Sequence, residues 1–377
     1  MTKVNIKIIS SLHVGSGNVL FHGNDFVGGI DAEGFEVIGI VDMRKAMNLI
    51  GEDNIGAWTA AIDRGKTFDE VIKRYSPRAT VADYSSRLVD VQYDMEANKN
   101  IDLREFIHDG LGRPYIPGSS IKGAIRSSVL SALAAKLPLA ALVVKGKNGR
   151  VSGSEMEKKL LGNEPSSDIF RFVHVGDAIF DGWHTSAMLT ILLNERKIGD
   201  VLDKSKKQLI ETLPAGCETT MDLDIDARGF QLFCKDQHCV SDLSFLSGDV
   251  KQLFSIVNDH TKQLVDEEIG LWHEKEDSCK DENGVLPDYI DELNRIKVDV
   301  EKCTDGKSCI LRIGFGSGWR FITGAWTERF KGTAKFDDVV NASRPKNFKY
   351  DGYDFPKSRK VEYETCEPFG FVKLSLA

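Results

Sequence analysis

Residues 113–130, "RPYIPGSSIKGAIRSSVL", gather two hydroxyls, a lysine, a glycine and an arginine where a helix begins. Pro114 and Pro117 force extended backbone just before it, and Ser119 or Ser120 is expected to cap a helix reaching about residue 137. Ile121, Ile125, Val129 and Leu133 recur every four residues as a buried stripe, and Lys122 and Arg126 share the adjacent face. Gly123 costs ~1 kcal/mol relative to alanine inside a helix, which points to something approaching the backbone there. A helix N-terminus with hydroxyls and cations suits a phosphate; a capped helix with a solvated basic face carries the same pattern. The nucleotide-binding loop G-x-x-x-x-G-K-[ST] is excluded. Gly118 and Gly123 have its spacing, but Ala124 and Ile125 stand where the lysine and hydroxyl belong.

A second group is "GFGSGWR", with Gly314, Gly316 and Gly318 after an apolar run. Its G-x-G-x-G spacing is not the dinucleotide fingerprint, and an acidic residue at Asp337 adds little. The loop reads as backbone that a phosphodiester chain can approach, flanked by Trp319, Arg320 and Phe321. Downstream, "RPKNFKYDGYDFPKSRK" interleaves cations with Phe348, Tyr350, Tyr353 and Phe355, a composition suited to phosphates and stacked bases of a single strand and equally found in surface hairpins.

His13, in "LHVGSGN", is the residue type for general acid–base cleavage of RNA, although a hydrogen-bonded structural histidine is the simpler reading. Cys234, His238 and Cys239, and Cys303 with Cys309, lack the paired knuckles of structural zinc, so no metal is expected. Asp222, Asp224 and Asp226 alternate along a strand and read as a solvated face before a two-metal nuclease site.

The elements that must position these residues alternate between sheet and helix. Strands are expected at 3–10, on both sides of a turn at 31–34, in "DIFRFVHVGDAIFDG", in "CETTMDLDIDA", at "SCILRIGF" and near the end in "FGFVKLSL". Helices are expected over "MRKAMNLIGEDNIGAWTAAI", after the serines, over "DVKQLFSIVNDHTKQLVDEEIGLWHEK" and at 288–297, with 65–100 polar and irregular. The order implies an α+β fold with helices on one face of a sheet.

At 377 residues the chain is long enough for two modules. Its net charge of -8 argues against nucleic acid, but the distribution reverses that argument. Residues 101–150 hold eight Lys/Arg against three Asp/Glu and residues 311–360 eleven against five, while 261–305 hold six against fourteen. Two basic blocks and an acidic middle give one anion-binding face and a solvating back. The most apolar stretch is broken by Lys136 and Pro138, so no membrane span is expected. Seven cysteines without framework spacing imply reduced thiols in a cytoplasm.

Together, "FIHDGLGRPYIPGSSIKGAIR", "LHVGSGN", "IFRFVHVGDA", "LPAGCETTMDLDI", "LRIGFGSGW" and "PFGFVKLS" resemble motifs of RAMP proteins of CRISPR effector complexes, and along the chain they follow that family's order. The first looks most like the fifth Csm subunit of type III-A effectors. The resemblance implies tandem ferredoxin-like, RRM-related RAMP modules with long insertions, here placed at 1–230 and 231–377, with the signature helix and glycine-rich loop at an RNA groove. It implies a non-catalytic subunit without cofactor, capping the guide RNA 3′ end, beside a backbone subunit and target RNA, and aiding guide maturation. On it, the RNA-binding residues are His13, Ser119, Ser120, Lys122, Arg126, Gly314, Gly316, Gly318, Trp319 and Arg320. The family's target-cleaving aspartate belongs to a backbone subunit; Asp25 and Asp31 are the candidates by position. A guide-processing endoribonuclease using His13 is the alternative.

Overall fold

In the computed structural model, described for residues 2–98, 101–145, 152–195, 199–236, 243–333, 356 and 358–377, the chain is α+β with two principal sheets. The smaller sheet has the order Ser308–Arg312, Phe371–Leu376, Thr2–Ile8, Glu218–Ile225, Val173–Val175, antiparallel throughout. Omitting the edge strand Ser308–Arg312, this is the ferredoxin-like arrangement. The first strand leads to the helix Gly118–Ala135, then to Val173–Val175. Glu218–Ile225 leads through the helix Val250–Glu276 to the last strand. The first strand explains its own place in the sheet. Val4, Ile6 and Ile8 alternate onto the helix-covered face, while Lys3, Asn5 and Lys7 face out.

The core between this sheet and its two helices includes Ile121, Ile125, Val129 and Leu133, the stripe expected for the signature helix, against Leu223, Leu253 and Leu374. Truncating one such side chain to alanine typically costs ~2–5 kcal/mol. Thr2–Ile8 lies between Glu218–Ile225 and Phe371–Leu376, so the 230/231 division read from the sequence does not coincide with a break between sheets.

The larger sheet is an insertion into this frame. Its path runs Gly15–Leu20, Leu103–Phe106, Leu202–Thr212, Ser186–Asn194, Ser85–Gln92, Glu36–Val41, Phe26–Ile30, and Ser358–Glu362 joins Ser186–Asn194. The expected hairpin is present as Phe26–Ile30 and Glu36–Val41. Several expectations need correction. The helix drawn over residues 43–62 is two, Met43–Ile50 and Ile55–Ile62, parted at Gly51 with φ 84°. The stretch 65–100 is not irregular. It holds the helix Phe68–Tyr75, closed by a Thr67–Glu70 capping box, and the strand Ser85–Gln92. The helix near 288–297 extends over Val285–Glu301.

No helix among the described residues is long and apolar enough to cross a membrane. Of the tail 344–360, the aromatics Phe348, Tyr350, Tyr353 and Phe355 lie outside the described residues, as do His238, Cys239 and Asp337.

Candidate nucleic-acid interface

The signature helix starts at Gly118, one turn-position earlier than the serines suggested, and its N-cap is Pro117 with no side-chain cap. The Asp177 carboxylate replaces the expected serine cap by accepting the Gly118 N–H at 2.7 Å. Gly118 is required sterically, because a Cβ there would stand 2.2 Å from the Val175 carbonyl oxygen. Ser119 and Ser120 therefore occupy the first turn, where their hydroxyls are free of the capping duty assigned to them. At the other end, Arg329 donates to the carbonyls of Ala134 and Leu137, tying the helix C-terminus to the short Ala325–Phe330 helix.

The two motifs meet. A cleft of ≈ 390 Å³ is lined by Ser119, Ser120, Gly123 and Ser127 on the helix and by Arg312, Gly314 and Ser317 on the loop side. Gly123 is exposed and a Cβ built on it meets nothing within 4 Å, so the backbone is open to an approaching group there. Ser127 closes the floor by donating to the Ile322 carbonyl.

The helix cations divide. Arg126 donates from Nε to Glu157 and from Nη1 to Asp168, each at 2.8 Å, and lies over the Phe170 ring. Burial works to lower its pKa, but Asp168 and Glu157 outweigh this and raise it. Lys122, one turn away, is half-buried. Burial moves its pKa down, with Asp168 opposing and Arg126 adding to the fall. Lys122 is thus the cation of this face, and Arg126 fixes the helix to its neighbours.

The glycine loop is built from inside. The Arg312 guanidinium, 4% exposed, donates to the carbonyls of Phe369 at 2.8 Å and Gly316 at 3.1 Å, and is flanked by Phe321 and Phe371. Gly314, at φ 75°, presses so close to the His13 carbonyl oxygen that a Cβ would lie 2.4 Å from it. Gly316, at φ 80°, would set its Cβ 3.3 Å from that of Phe369 and 3.5 Å from that of Lys360. Only Gly318 points its missing side chain into open space. The first two glycines serve packing as well as conformation.

His13 is 4% exposed, with Nδ1 2.6 Å from the Glu211 carbonyl oxygen and its ring edge-on to Phe106 and Phe315. Burial lowers its pKa, with the Glu211 backbone and charge opposing. Below it, the buried Glu211 carboxylate accepts from Arg87, Thr185 and the Phe106 N–H. Arg87 continues to Glu105, which holds Ser16 and Asn18 of the histidine–glycine turn.

Arg320 is 7% exposed and lies against Glu328 at 3.2 Å and Glu268 at 3.8 Å, inside the protein. Trp319 is half-buried next to it. Asp25 accepts the Phe21 N–H, and Asp31 accepts the N–H groups of Glu33 and Phe35, so both shape turns. On the outer face of the smaller sheet Asp222 pairs with Lys3, whereas Asp226 lies past the end of that strand and accepts the Gly229 N–H at the start of the helix Ala227–Asp236. No metal-holding group of three such ligands occurs among the described residues.

Sequence reasoning missed Arg312, Glu211 and Phe315. The first two carried a signal, a single charge inside an apolar run ("ILRIG", "LIETL"). Such a charge must be paired or hydrogen-bonded to be buried.

Fold and cleft define a ferredoxin-like α+β protein in which a helix start and a glycine-rich loop face one groove. A sequence profile of the RAMP superfamily matches residues 5–365, and the chain belongs to that superfamily. Over 92 residues it is 28% identical to CRISPR system Cms protein Csm5 of Methanocaldococcus jannaschii, covering 24% of this chain and 22% of the relative. Over 89 residues it is 34% identical to the protein of that name from Mycobacterium tuberculosis strain CDC 1551 / Oshkosh, covering 20% and 24%. The match thus spans under a quarter of each of these relatives. The whole chain superposes on all of one chain from the cryo-EM structure of a Csm–crRNA–target RNA ternary complex of a type III-A CRISPR–Cas system, with TM-score 0.70 at 19% identity. The crystal structure of T. onnurineus Csm5 gives TM-score 0.65 at 19% identity over 98% of this chain and 99% of that one. The resemblance read from the sequence and these comparisons agree.

Proposed function

We propose that this chain is a non-catalytic RNA-binding subunit of a cytoplasmic type III-A Csm complex, capping the guide RNA at its 3′ end beside a backbone RAMP subunit and target RNA. The observation that carries this reading is the shared cleft, where the open first turn of the signature helix faces the glycine loop. Backbone N–H groups, the Ser119 and Ser120 hydroxyls and the Lys122 ammonium would hold phosphates there. Gly318 and Trp319 border the same loop. His13, Arg126, Gly314, Gly316 and Arg320 serve the reading by fixing the cleft walls. The buried His13, with one ring nitrogen on a main-chain carbonyl, supports the absence of acid–base cleavage.

Gly123→Glu tests it. The position is helical and sterically open, so the variant folds and places volume and a like charge where phosphate would lie. In a reconstituted Csm complex, nuclease protection of the guide's 3′ region is expected to weaken while the 5′ end stays protected. Unchanged 3′ protection, or loss at the 5′ end, would sink the capping assignment. Guide precursor is expected to stay intact with purified subunit, with or without magnesium; cleavage abolished by His13→Ala while RNA binding persists would establish the endoribonuclease instead.

A further inference from the structure

The face of the larger sheet next to the glycine loop carries cations that no ion pair among the described residues explains. Arg104 stands opposite Ile210 in the parallel pairing of Leu103–Phe106 with Leu202–Thr212. Gln208, two residues before Ile210, shares that face, and its Oε1 accepts from Lys360 Nζ at 3.0 Å. Arg104 and Lys206 are exposed and Lys360 is half-buried. Burial lowers the Lys360 pKa, and Arg104 and Lys206 lower it further, so the three charges crowd one another. Elsewhere the partly and fully buried guanidiniums are engaged. Arg87 holds Glu211 and Glu105, Arg126 holds Glu157 and Asp168, and Arg359 holds Glu268. Here the same chain leaves three cations together beside Gln208, a neutral acceptor.

This patch is continuous with the cleft. Lys360 Nζ lies 5.7 Å from the centre of the Phe315 ring, and Lys360 Cβ is 3.5 Å from where a Gly316 Cβ would stand. Phe315 in turn packs against His13, which covers Phe106 on the same strand as Arg104. The glycine loop is therefore the ridge between two anion-favouring surfaces, one on the signature helix and one on the sheet. Like charges held this close destabilise the free protein and favour a polyanion that neutralises them.

We propose that Arg104, Lys206 and Lys360 form a second phosphodiester-binding surface, which carries single-stranded RNA from the helix cleft over the glycine loop and onto the larger sheet. The proposal rests on the reading of this chain as an RNA-binding subunit. It adds a site on a different sheet from the signature motif.

The test measures binding of a fluorescein-labelled uridine homopolymer to the purified protein across a potassium chloride series. Each phosphate contact to a single strand contributes about 0.7 to the slope of log affinity against log salt. The double variant Arg104→Gln/Lys206→Gln is expected to lower that slope by about 1.4. Lys122→Ala is expected to lower it independently by about 0.7, and the triple variant by the sum. Both sheet positions are exposed and their charges repel Lys360, so circular dichroism melts should be no lower than wild type, and Arg104→Lys/Lys206→Arg should keep the wild-type slope. If the double variant keeps the wild-type slope while Lys122→Ala loses its share, the sheet surface is not an RNA site and the RNA reading stands. If wild-type protein shows no salt-dependent binding, both fall. If the double variant binds RNA normally but no longer joins the other subunits, the patch receives an acidic protein face and the proposal is overturned.

Discussion

The Phe315 main-chain N–H donates to the carbonyl oxygen of His13 at 2.8 Å, joining two glycine-flanked turns more than 300 residues apart in the chain. Gly314 completes the contact, its Cα hydrogens lying where any side chain would strike the same oxygen. The histidine motif and the glycine loop are one structural unit.

Gly314→Ala should therefore break that unit from both directions. The φ of 75° is costly for alanine, and its methyl would meet the His13 carbonyl. A loss of about 1–3 kcal/mol is expected, read as a lower urea midpoint, together with weaker RNA binding. His13→Ala would share the binding defect if the unit shapes the cleft; a Gly314→Ala protein with wild-type midpoint and affinity would refute the coupling.

Lys122 and Arg126 sit on one helix face and should behave differently. Lys122→Ala is expected to weaken RNA binding with little change in melting temperature. Arg126→Ala, which leaves Glu157 and Asp168 without their partner, is expected to lower stability by about 1 kcal/mol and leave the salt slope intact. Equal losses of slope in the two variants would show that Arg126 also reaches phosphate.

Acid should unfold the protein in two recognisable stages. His260 on the long Val250–Glu276 helix is buried, and burial brings its pKa down to about 4 from 6.5. Its neutral form stabilises the fold fully above pH 6.5, and this contribution is lost as pH falls toward 4. Glu268 follows. Burial alone would raise its pKa, but Arg359, Arg320 and the Trp272 N–H hold it down to about 2. Its contribution is present above the usual value of 4.5 and is lost between there and 2. Urea midpoints measured from pH 8 to pH 2 should fall through both windows. His260→Phe should flatten the first. Glu268→Gln should flatten the second while costing about 3–5 kcal/mol at neutral pH, because Arg359 is left buried without a counter-charge. A His260→Phe protein that retains the full decline between pH 6.5 and 4 would reject this assignment.

Local chemistry determined the parts of this protein whose pattern is local. Val4, Ile6 and Ile8 alternate, Ile121 to Leu133 repeat every four residues, and the glycines of "GFGSGW" mark a loop because few other residues take φ near 75°. These were enough to read an α+β chain, its signature helix and its glycine-rich loop. Tertiary structure decided which of those residues remain available to a ligand. Arg126 and Lys122 are equivalent on a helical wheel, yet Glu157 and Asp168 arrive from other elements and occupy only Arg126. Arg320 follows the glycine loop in sequence but turns inward to Glu268. His13 stands beside a flexible-looking turn and is sealed by Phe106 and Phe315. The strands Ser186–Asn194 and Leu202–Thr212 escaped notice because both faces of each are partly apolar and the alternation is blurred. Burial and charge pairing depend on partners tens to hundreds of residues away, and those partners exist only once the chain has closed its sheets.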